Sequence, residues 1–154
     1  MPPGMTTKSL SKSEIEEFLK SQRIGVLALN DGKTSYAVPL AYSYDKDTVY
    51  LAMGSAGRKT GYIKSNQNVC FCVYVLAEGY PAKRGYTSVI CDGVISRITD
   101  AEELRERGRA SEKAMGMPPG AMNERIEKTI KDPANSVFWK VLVNTMGGKK
   151  AEDA

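Results

Sequence analysis

The distribution of short β-forming segments is the feature that most constrains how this chain can fold. One of them, NVCFCVYVL, is an almost unbroken run of β-branched, aromatic and sulfur-containing residues, which is typical of a buried strand. Similar segments follow at close spacing, separated mostly by turn signals such as Asn30-Asp31-Gly32. The predicted strands are Arg23 to Leu29, Thr34 to Tyr44, Thr48 to Met53, Asn68 to Leu76, Tyr86 to Ile98 and Ser136 to Asn144.

Six strands joined mostly by tight turns predict an antiparallel barrel, because closure removes the exposed edges that an open sheet leaves. Pro39 lies inside the second predicted strand and cannot donate to a ladder, so it marks an edge, a bulge or a ligand-facing gap. Gly93, inside the fifth strand, indicates a bulge. The expected fold class is therefore mainly β, a six-stranded antiparallel split barrel with accessory helices.

Accessory helices are predicted in three places. Ser11 and Glu14 form a capping-box pattern ahead of a short amphipathic stretch, which predicts a helix start. Arg58 to Ser65 can form one or two helical turns after the third strand. A helical pair, interrupted by a Pro-Pro-Gly sequence, is expected between Asp100 and Lys131.

The length of 154 residues is enough for one domain with a substantial core. The charged tail from 147 to 154 and the first ten residues, 1–10, are expected to be flexible ends of that single domain. No apolar run approaches the roughly 18 residues of a membrane span, and the N-terminus lacks a secretory h-region. A cytoplasmic protein without a membrane partner is therefore expected.

The chain contains no histidine, which excludes several kinds of site. Histidine-ligated metals, Ser-His and Cys-His nucleophile systems, and the commonest general base near neutral pH are all ruled out. The three cysteines, Cys70, Cys72 and Cys91, lack C-x-x-C spacing, which argues against a disulfide framework or a zinc knuckle. We therefore expect no metal site, and any redox chemistry to come from an organic cofactor.

The sequence LAMGSAGRKT, from Leu51 to Thr60, has the composition of a phosphate-binding loop. It is not a P-loop, since only Ser55 and Ala56 separate its two glycines where that motif needs four residues. A strand that ends in glycines and enters a helical turn can still bind a phosphate through free N–H groups, assisted by Arg58 and Lys59. A glycine turn followed by two solvated cations is the alternative that this stretch leaves open.

The order of several short motifs is more informative than the loop alone. These motifs are R-x-G-x-L-A (Arg23 to Ala28), D-G (Asp31 and Gly32), V-P-L-x-Y (Val38 to Tyr42), V-Y-L (Val49 to Leu51), G-R-K (Gly57 to Lys59) and N-x-x-V-C-F-x-V (Asn66 to Val73). Together they resemble the pyridoxamine 5′-phosphate oxidase-like, FMN-binding split-barrel superfamily, in the branch related to nitroimidazole reductases. The resemblance runs from about Ser11 to Gly93, with a looser match at the last strand.

The resemblance implies a homodimer of split barrels with FMN in grooves between the subunits. It assigns the FMN phosphate to Arg58 and Lys59, with Ser55 in the phosphate loop, and places the flavin ring along the second predicted strand. The predicted cofactor contacts are Val38, Pro39, Leu40, Ala52, Met53, Ser55, Arg58, Lys59, Ser88 and Trp139. Core or dimer-interface packing is the alternative for Trp139. Tyrosines that could close the pocket are Tyr36, Tyr42, Tyr62 and Tyr80.

Two departures from the family pattern narrow the expected activity. Ala52 stands where many members carry a histidine, and SVFWKVLVNTMGGKK lacks the C-terminal Arg and His motif of the true oxidases. We therefore do not expect pyridoxamine phosphate oxidation. The leading hypothesis is an FMN-dependent oxidoreductase that passes hydride or electrons from a reduced nicotinamide to a small-molecule acceptor, with no catalytic residue identified.

Three alternatives remain at this stage. One is a flavin-binding sensor or carrier without turnover, and another is a deazaflavin-dependent reductase on the same barrel. The third is a nucleic-acid-binding barrel. The nucleic-acid-binding alternative is disfavoured because glutamates are interspersed with arginines between residues 102 and 112. This pattern is typical of a solvent-exposed helix face rather than of a basic patch.

Overall fold

The computed structural model describes residues 2–154 of the chain. The strands are β1 (Met5–Ser9), β2 (Ile24–Asn30), β3 (Ser35–Asp45), β4 (Thr48–Ala52), β5 (Asn68–Leu76), β6 (Tyr86–Arg97) and β7 (Phe138–Asp153). The helices are α1 (Lys12–Ser21), α2 (Arg58–Ser65), α3 (Ala101–Ala114) and α4 (Asn123–Lys131), and a 3₁₀ turn spans Pro133–Asn135. None of the helices in residues 2–154 combines the length and the apolarity that crossing a bilayer requires.

Six of the strands close into a barrel, which confirms the fold predicted from the sequence. The order is β7-β4-β3-β2-β5-β6, and a second pairing between β6 and β7 completes the circle. Each of these pairings is antiparallel. The seventh strand, β1, was not predicted and adds to the outer side of β7.

The ends of the chain that the sequence predicts to be flexible, 1–10 and 147–154, contain paired strand residues in the described part of the chain. Residues 5–9 pair with residues 149–153, from Met5 opposite Asp153 to Ser9 opposite Lys149. The tail stays in the sheet because β6 provides a hydrogen-bonding partner on its other side, as far as Ala151. Charged side chains that face water are compatible with such a strand, and Asp153 forms an ion pair with Arg84 at 2.9 Å.

Inward-facing residues of the strands form the main core. Leu27, Phe71, Val89 and Val141 are completely inaccessible to solvent. Helix α1 covers this core with Ile15 and Leu19. The helix starts as predicted, with both hydrogen bonds of the capping box between Ser11 and Glu14 present.

Helices α3 and α4 form a second, smaller core on the outside of the barrel. Ile98, Leu104, Met122 and Ile126 are its buried residues, and Tyr50 and Phe138 of the barrel pack against them. The turn between the helices is organised by the buried carboxylate of Glu112, which accepts hydrogen bonds from the N–H groups of Gly120 (3.1 Å) and Met122 (2.8 Å). The helical pair is therefore a fixed layer over β4 and β7.

The two strand irregularities predicted from glycine and proline are both present. The β6–β7 register shifts between Asp92 and Gly93, which is the expected bulge. Pro39 pairs with Val26 of β2, whereas β4 pairs with β3 only from Tyr42 onward. Within the described residues, the part of β3 from 35 to 41 therefore has a strand on one side only. Pro39 lies on an open edge, where its missing N–H costs no ladder hydrogen bond.

Candidate functional site

The open edge of β3 forms one wall of the candidate site. Side chains alternate along it, so that Val38 and Leu40 pack partly buried against the barrel core while Pro39 is exposed on the outer face. The strand therefore presents backbone groups along its edge and a small apolar surface on its outside. These features suit a flat ring better than a bulky charged group.

The loop after β4 forms the second wall. Ala52, the last residue of β4, is exposed, whereas the side chain of Met53 points into the barrel core and is 4% exposed. The Met53 N–H donates to the Val137 carbonyl at 2.8 Å. Of the two residues predicted to contact the cofactor here, Ala52 is therefore available on the surface, and Met53 can offer only its carbonyl group.

Helix α2 begins directly after this loop with an open N-terminus. Gly57 occupies the N-cap position with φ 126°, and no side chain accepts a hydrogen bond from the first turn. A Cβ at Gly57 would meet no heavy atom within 4 Å, so glycine is required for its backbone conformation rather than for space. Free N–H groups and the helix dipole make this end of α2 attractive to an anion.

Arg58 and Lys59 are the first two residues of α2, and no ion pair to either occurs in residues 2–154. The guanidinium of Arg58 lies over the ring of Tyr36, 4.0 Å from its centroid, and Tyr36 stacks on Tyr62 at 5.5 Å. Face-on stacking leaves the N–H edge of the guanidinium available for a bidentate contact. Two unpaired cations therefore accompany the open helix end.

The same aromatic pair is tied to the β2–β3 turn. The hydroxyls of Thr34 and Tyr62 are 2.8 Å apart. The hydrogen bond with Thr34, followed by the nearby Arg58, lowers the pKa of the Tyr62 hydroxyl. Tyr36 and Tyr62 thus hold Arg58 beside α2. Tyr42, in contrast, is buried in the core and donates to the Leu19 carbonyl at 2.6 Å.

Arg97, at the end of β6, belongs to this region although sequence reasoning did not identify it. Its guanidinium donates to the carbonyls of Ser136 (2.5 Å) and Ser55 (3.1 Å) and lies 4.3 Å from the centroid of Trp139. It thereby fixes the loop between β4 and α2 to the start of β7. The alternation of buried residues along β6 could have indicated an inward-facing cation at this position.

Trp139 and Ser88 are the two predicted contacts that lie apart from the surface site. Trp139 is 4% exposed inside the barrel, and no hydrogen-bond partner of its Nε1 is present in residues 2–154. This position corresponds to the core-packing alternative. Ser88 lies opposite Tyr74 and Lys149 in the sheet, nine residues before Arg97 and therefore about 30 Å away along β6. A single chain does not bring Ser88 to Arg58 and Lys59.

The cysteines have the character of structural residues. Cys91 is completely buried, and burial raises its pKa to about 12. Burial also raises the pKa values of the half-buried Cys70 and Cys72. Within residues 2–154, no group of three or more potential ligand side chains is arranged to hold a metal ion. The site therefore combines cations, N–H groups and a flat edge, without an obvious acid–base pair.

Comparison with known proteins identifies the family. The sequence model of the family described as pyridoxamine 5′-phosphate oxidase matches residues 11–150. The chain therefore belongs to the pyridoxamine 5′-phosphate oxidase family, as the order of its motifs predicted. A search of curated proteins finds no match.

Similar solved structures support the same fold. An FAD-binding protein from Mesorhizobium loti is 25% identical with a TM-score of 0.71, covering 96% of this chain and 98% of its own. A proposed 5-nitroimidazole antibiotic resistance protein from Bacteroides thetaiotaomicron is 27% identical with a TM-score of 0.71, covering 97% and 90%. An FAD-binding protein from Mycobacterium smegmatis, 19% identical, has a TM-score of 0.66 and covers 94% and 98%.

Proposed function

We propose that this chain is a flavin-binding protein that holds FMN at the N-terminus of α2. The observation that carries the proposal is the meeting of an uncapped helix end with two unpaired cations, Arg58 and Lys59, beside the open edge of β3. Family membership and the flavin-binding relatives support it. The flavin phosphate would accept hydrogen bonds from Arg58, Lys59 and the first N–H groups of α2.

The residues present fit a terminal phosphate better than an internal one. FMN ends in a phosphate monoester that carries close to two negative charges, whereas each phosphate of FAD carries one. Two adjacent cations at a helix start match a dianion without requiring a metal ion. We therefore favour FMN, even though two of the similar structures are FAD-binding proteins.

The flavin ring would lie along the edge of β3 at Val38 to Leu40, with Ala52 at its side. This wall is shallow in one chain, so we propose that a second copy of the chain supplies the opposite wall. Ser88, remote from Arg58 within a chain, would then contribute to the groove from the partner subunit.

When bound, the flavin would supply the redox chemistry between a reduced nicotinamide and a small acceptor. The chain's own residues would anchor the phosphate, orient the ring and limit access of water. Among residues 2–154, no side chain at the site is arranged as a general acid or base. A flavin carrier or sensor without turnover would also lack such a group, so this observation does not separate the two functions. Steady oxidation of NADH or NADPH with a panel of acceptors separates the two functions, since only the oxidoreductase turns over.

The phosphate anchor is tested by replacing both cations, Arg58→Ala with Lys59→Ala. We expect flavin affinity to fall by at least roughly 100-fold, because each charge-assisted contact contributes about 1.5–3 kcal/mol. The matched control is Lys64→Ala, which removes a cation from the last turn of the same helix. Fluorescence titration with FMN gives the affinities, and circular dichroism verifies the fold.

Identification of the cofactor released from the wild-type protein completes this test. FMN in the mass spectrum would support the proposal as stated. FAD or a deazaflavin would support the same site but contradict the choice of FMN as its ligand. Retention of full FMN affinity by the double variant would contradict the role of Arg58 and Lys59. A wild-type chain that binds none of these molecules would contradict the proposed function as a whole.

A further inference from the structure

A cavity lies on the outer side of β4, opposite the barrel core. It has a volume of about 350 Å³ and is enclosed between the C-terminal half of α3 and the outer faces of β3 and β4. Small side chains, such as Ala41 and Ser43 on the sheet and Ala110 and Ser111 on the helix, line it together with larger apolar ones, among them Tyr50, Phe138 and Trp139. This volume is near the lower end of the range for small-molecule pockets, roughly 300–1,000 Å³.

Among residues 2–154, Arg107 is the one cation that lines this cavity. Its guanidinium stacks on the ring of Tyr50, 3.6 Å from the centroid, and its Nε is buried. That Nε has no hydrogen-bond partner, and no ion pair of Arg107 occurs within residues 2–154. A buried N–H group without a hydrogen-bond partner is costly, and an anion in the cavity that accepted from it would remove that cost.

The acidic residues of α3 do not neutralise Arg107, because two of them have other partners and two are exposed to solvent. Glu103 binds Lys140 at 2.7 Å in a half-buried ion pair. Glu112 accepts the two N–H groups of the α3–α4 turn. Glu103 and Glu112 therefore have other partners, and the remaining glutamates of α3, Glu102 and Glu106, are exposed to solvent.

We propose that this cavity binds a small planar organic carboxylate, with Arg107 as its anion-binding residue. Stacking on Tyr50 fixes the plane of the guanidinium and leaves N–H groups for a bidentate contact with a carboxylate. A single cation matches a monoanion, in contrast to the paired cations at α2. The aromatic side chains among the lining residues, Tyr50, Phe138 and Trp139, favour contact with an unsaturated or aromatic group.

The inference goes beyond the proposed function because the cavity needs no flavin to bind a carboxylate. Ala52 nevertheless lies at the boundary between the cavity and the loop that enters α2. A carboxylate in the cavity would thus lie beside the proposed flavin site and could serve as the acceptor. That last step alone rests on the proposed function.

The test is calorimetric titration of the full chain with benzoate, sorbate and acetate, and with benzamide as the neutral counterpart of benzoate. We expect saturable binding of at least one planar carboxylate, and benzamide to bind at least about tenfold more weakly, because it lacks the charge that Arg107 recognises. Titrations on flavin-free and on FMN-loaded protein are carried out separately. Binding to the flavin-free chain therefore reports on the cavity even if the flavin proposal fails.

Substitution locates the binding. Arg107→Gln should weaken carboxylate affinity roughly 10- to 100-fold, and Arg107→Lys should restore it only in part, since lysine lacks the planar fork. Arg109→Gln, an exposed cation on the same helix, should leave affinity unchanged. The inference is overturned if no carboxylate binds the folded wild type, if benzamide binds as well as benzoate, or if Arg107→Gln keeps full affinity.

Discussion

Arg97 is the individual residue on which the geometry of the site most depends. It donates to carbonyl groups of Ser55 and Ser136, which belong to segments far apart in sequence, and it stacks on Trp139. Ser55 lies in the loop that leads into α2, so Arg97 also helps to fix the start of α2, where Arg58 and Lys59 lie. This partly buried cation acts as a cross-link between the end of β4 and the start of β7.

Arg97→Ala should therefore lower the free energy of unfolding by about 2–4 kcal/mol, since two charge-assisted hydrogen bonds and a stacking contact are lost. Chemical denaturation measures the change. Hydrogen exchange of residues 54–57 should also become faster, which a distant packing defect would not cause. The control is Ser96→Ala, whose exposed side chain points to the outer face of the same strand. Equal unfolding midpoints for both variants would contradict this role.

At the scale of elements, the β6–β7 ladder holds the barrel closed, and its bulge determines how the two strands fit. The register shifts next to Gly93. A Cβ at this position would lie 2.8 Å from Val141 Cγ1 and would also collide with the carbonyl oxygen of Leu142. Glycine is thus required at the bulge because the backbone of the neighbouring strand approaches too closely for any side chain.

Gly93→Ala should destabilise the protein by about 3 kcal/mol, as over-packing in a core does. Gly147 provides a matched comparison in the same ladder, opposite Ile90, because a Cβ there would meet no heavy atom within 4 Å. Gly147→Ala should therefore change stability by less than about 1 kcal/mol. Thermal unfolding of both variants tests the pair. A similar loss of stability in the two would show that close approach at the bulge is not the cause.

For the whole molecule, the outer surface of the barrel indicates a partner. Large apolar side chains that are 48–62% exposed lie on its β2, β5, β6 and β7 strands: Ile24, Tyr74, Ile90 and Leu142. The strand register places Ile90 opposite Cys72 and Cys72 opposite Val26, and it places Leu142 opposite the exposed Val94. An apolar surface that crosses four strands is typical of an interface, and a two-fold dimer would bury the same surface on both copies.

We expect light scattering to give about twice the chain mass of 16.8 kDa. Ile90→Glu places a charge in the apolar surface and should shift the protein to the monomer, because a buried unpaired carboxylate is strongly unfavourable. Ala134→Glu, exposed on the 3₁₀ turn away from this surface, serves as the control. A wild-type protein that is monomeric at micromolar concentration would remove the proposed second wall of the flavin site.

Much of the fold was accessible from local sequence patterns. The alternation and turn signals predicted the six barrel strands, the capping box predicted the start of α1, and Gly93 and Pro39 predicted the bulge and the open edge. Each of these is decided by a few neighbouring residues. The basic pair Arg58 and Lys59 was likewise placed correctly at the start of a helix, since glycine and the following residues determine where that helix begins.

Other features depended on contacts between distant segments. The charge of residues 147–154 predicts a flexible end. Most of these residues continue β7 because β1 and β6 pair with its two sides. The role of Arg97 requires that Ser55 and Ser136 come together. The cavity at Arg107 exists only because α3 folds back over β3 and β4.

The sequence by itself thus determined the barrel class, the family and the order of the six barrel strands and the helices between them, because hydrophobic period and turn chemistry act over a few residues. The tertiary structure alone decided which cations remain unpaired. Arg58, Lys59 and Arg107 are three among 22 arginines and lysines in the chain. The neighbours that folding brings to each side chain, rather than residue type, distinguish the cations that we propose to bind an anion from the other cations.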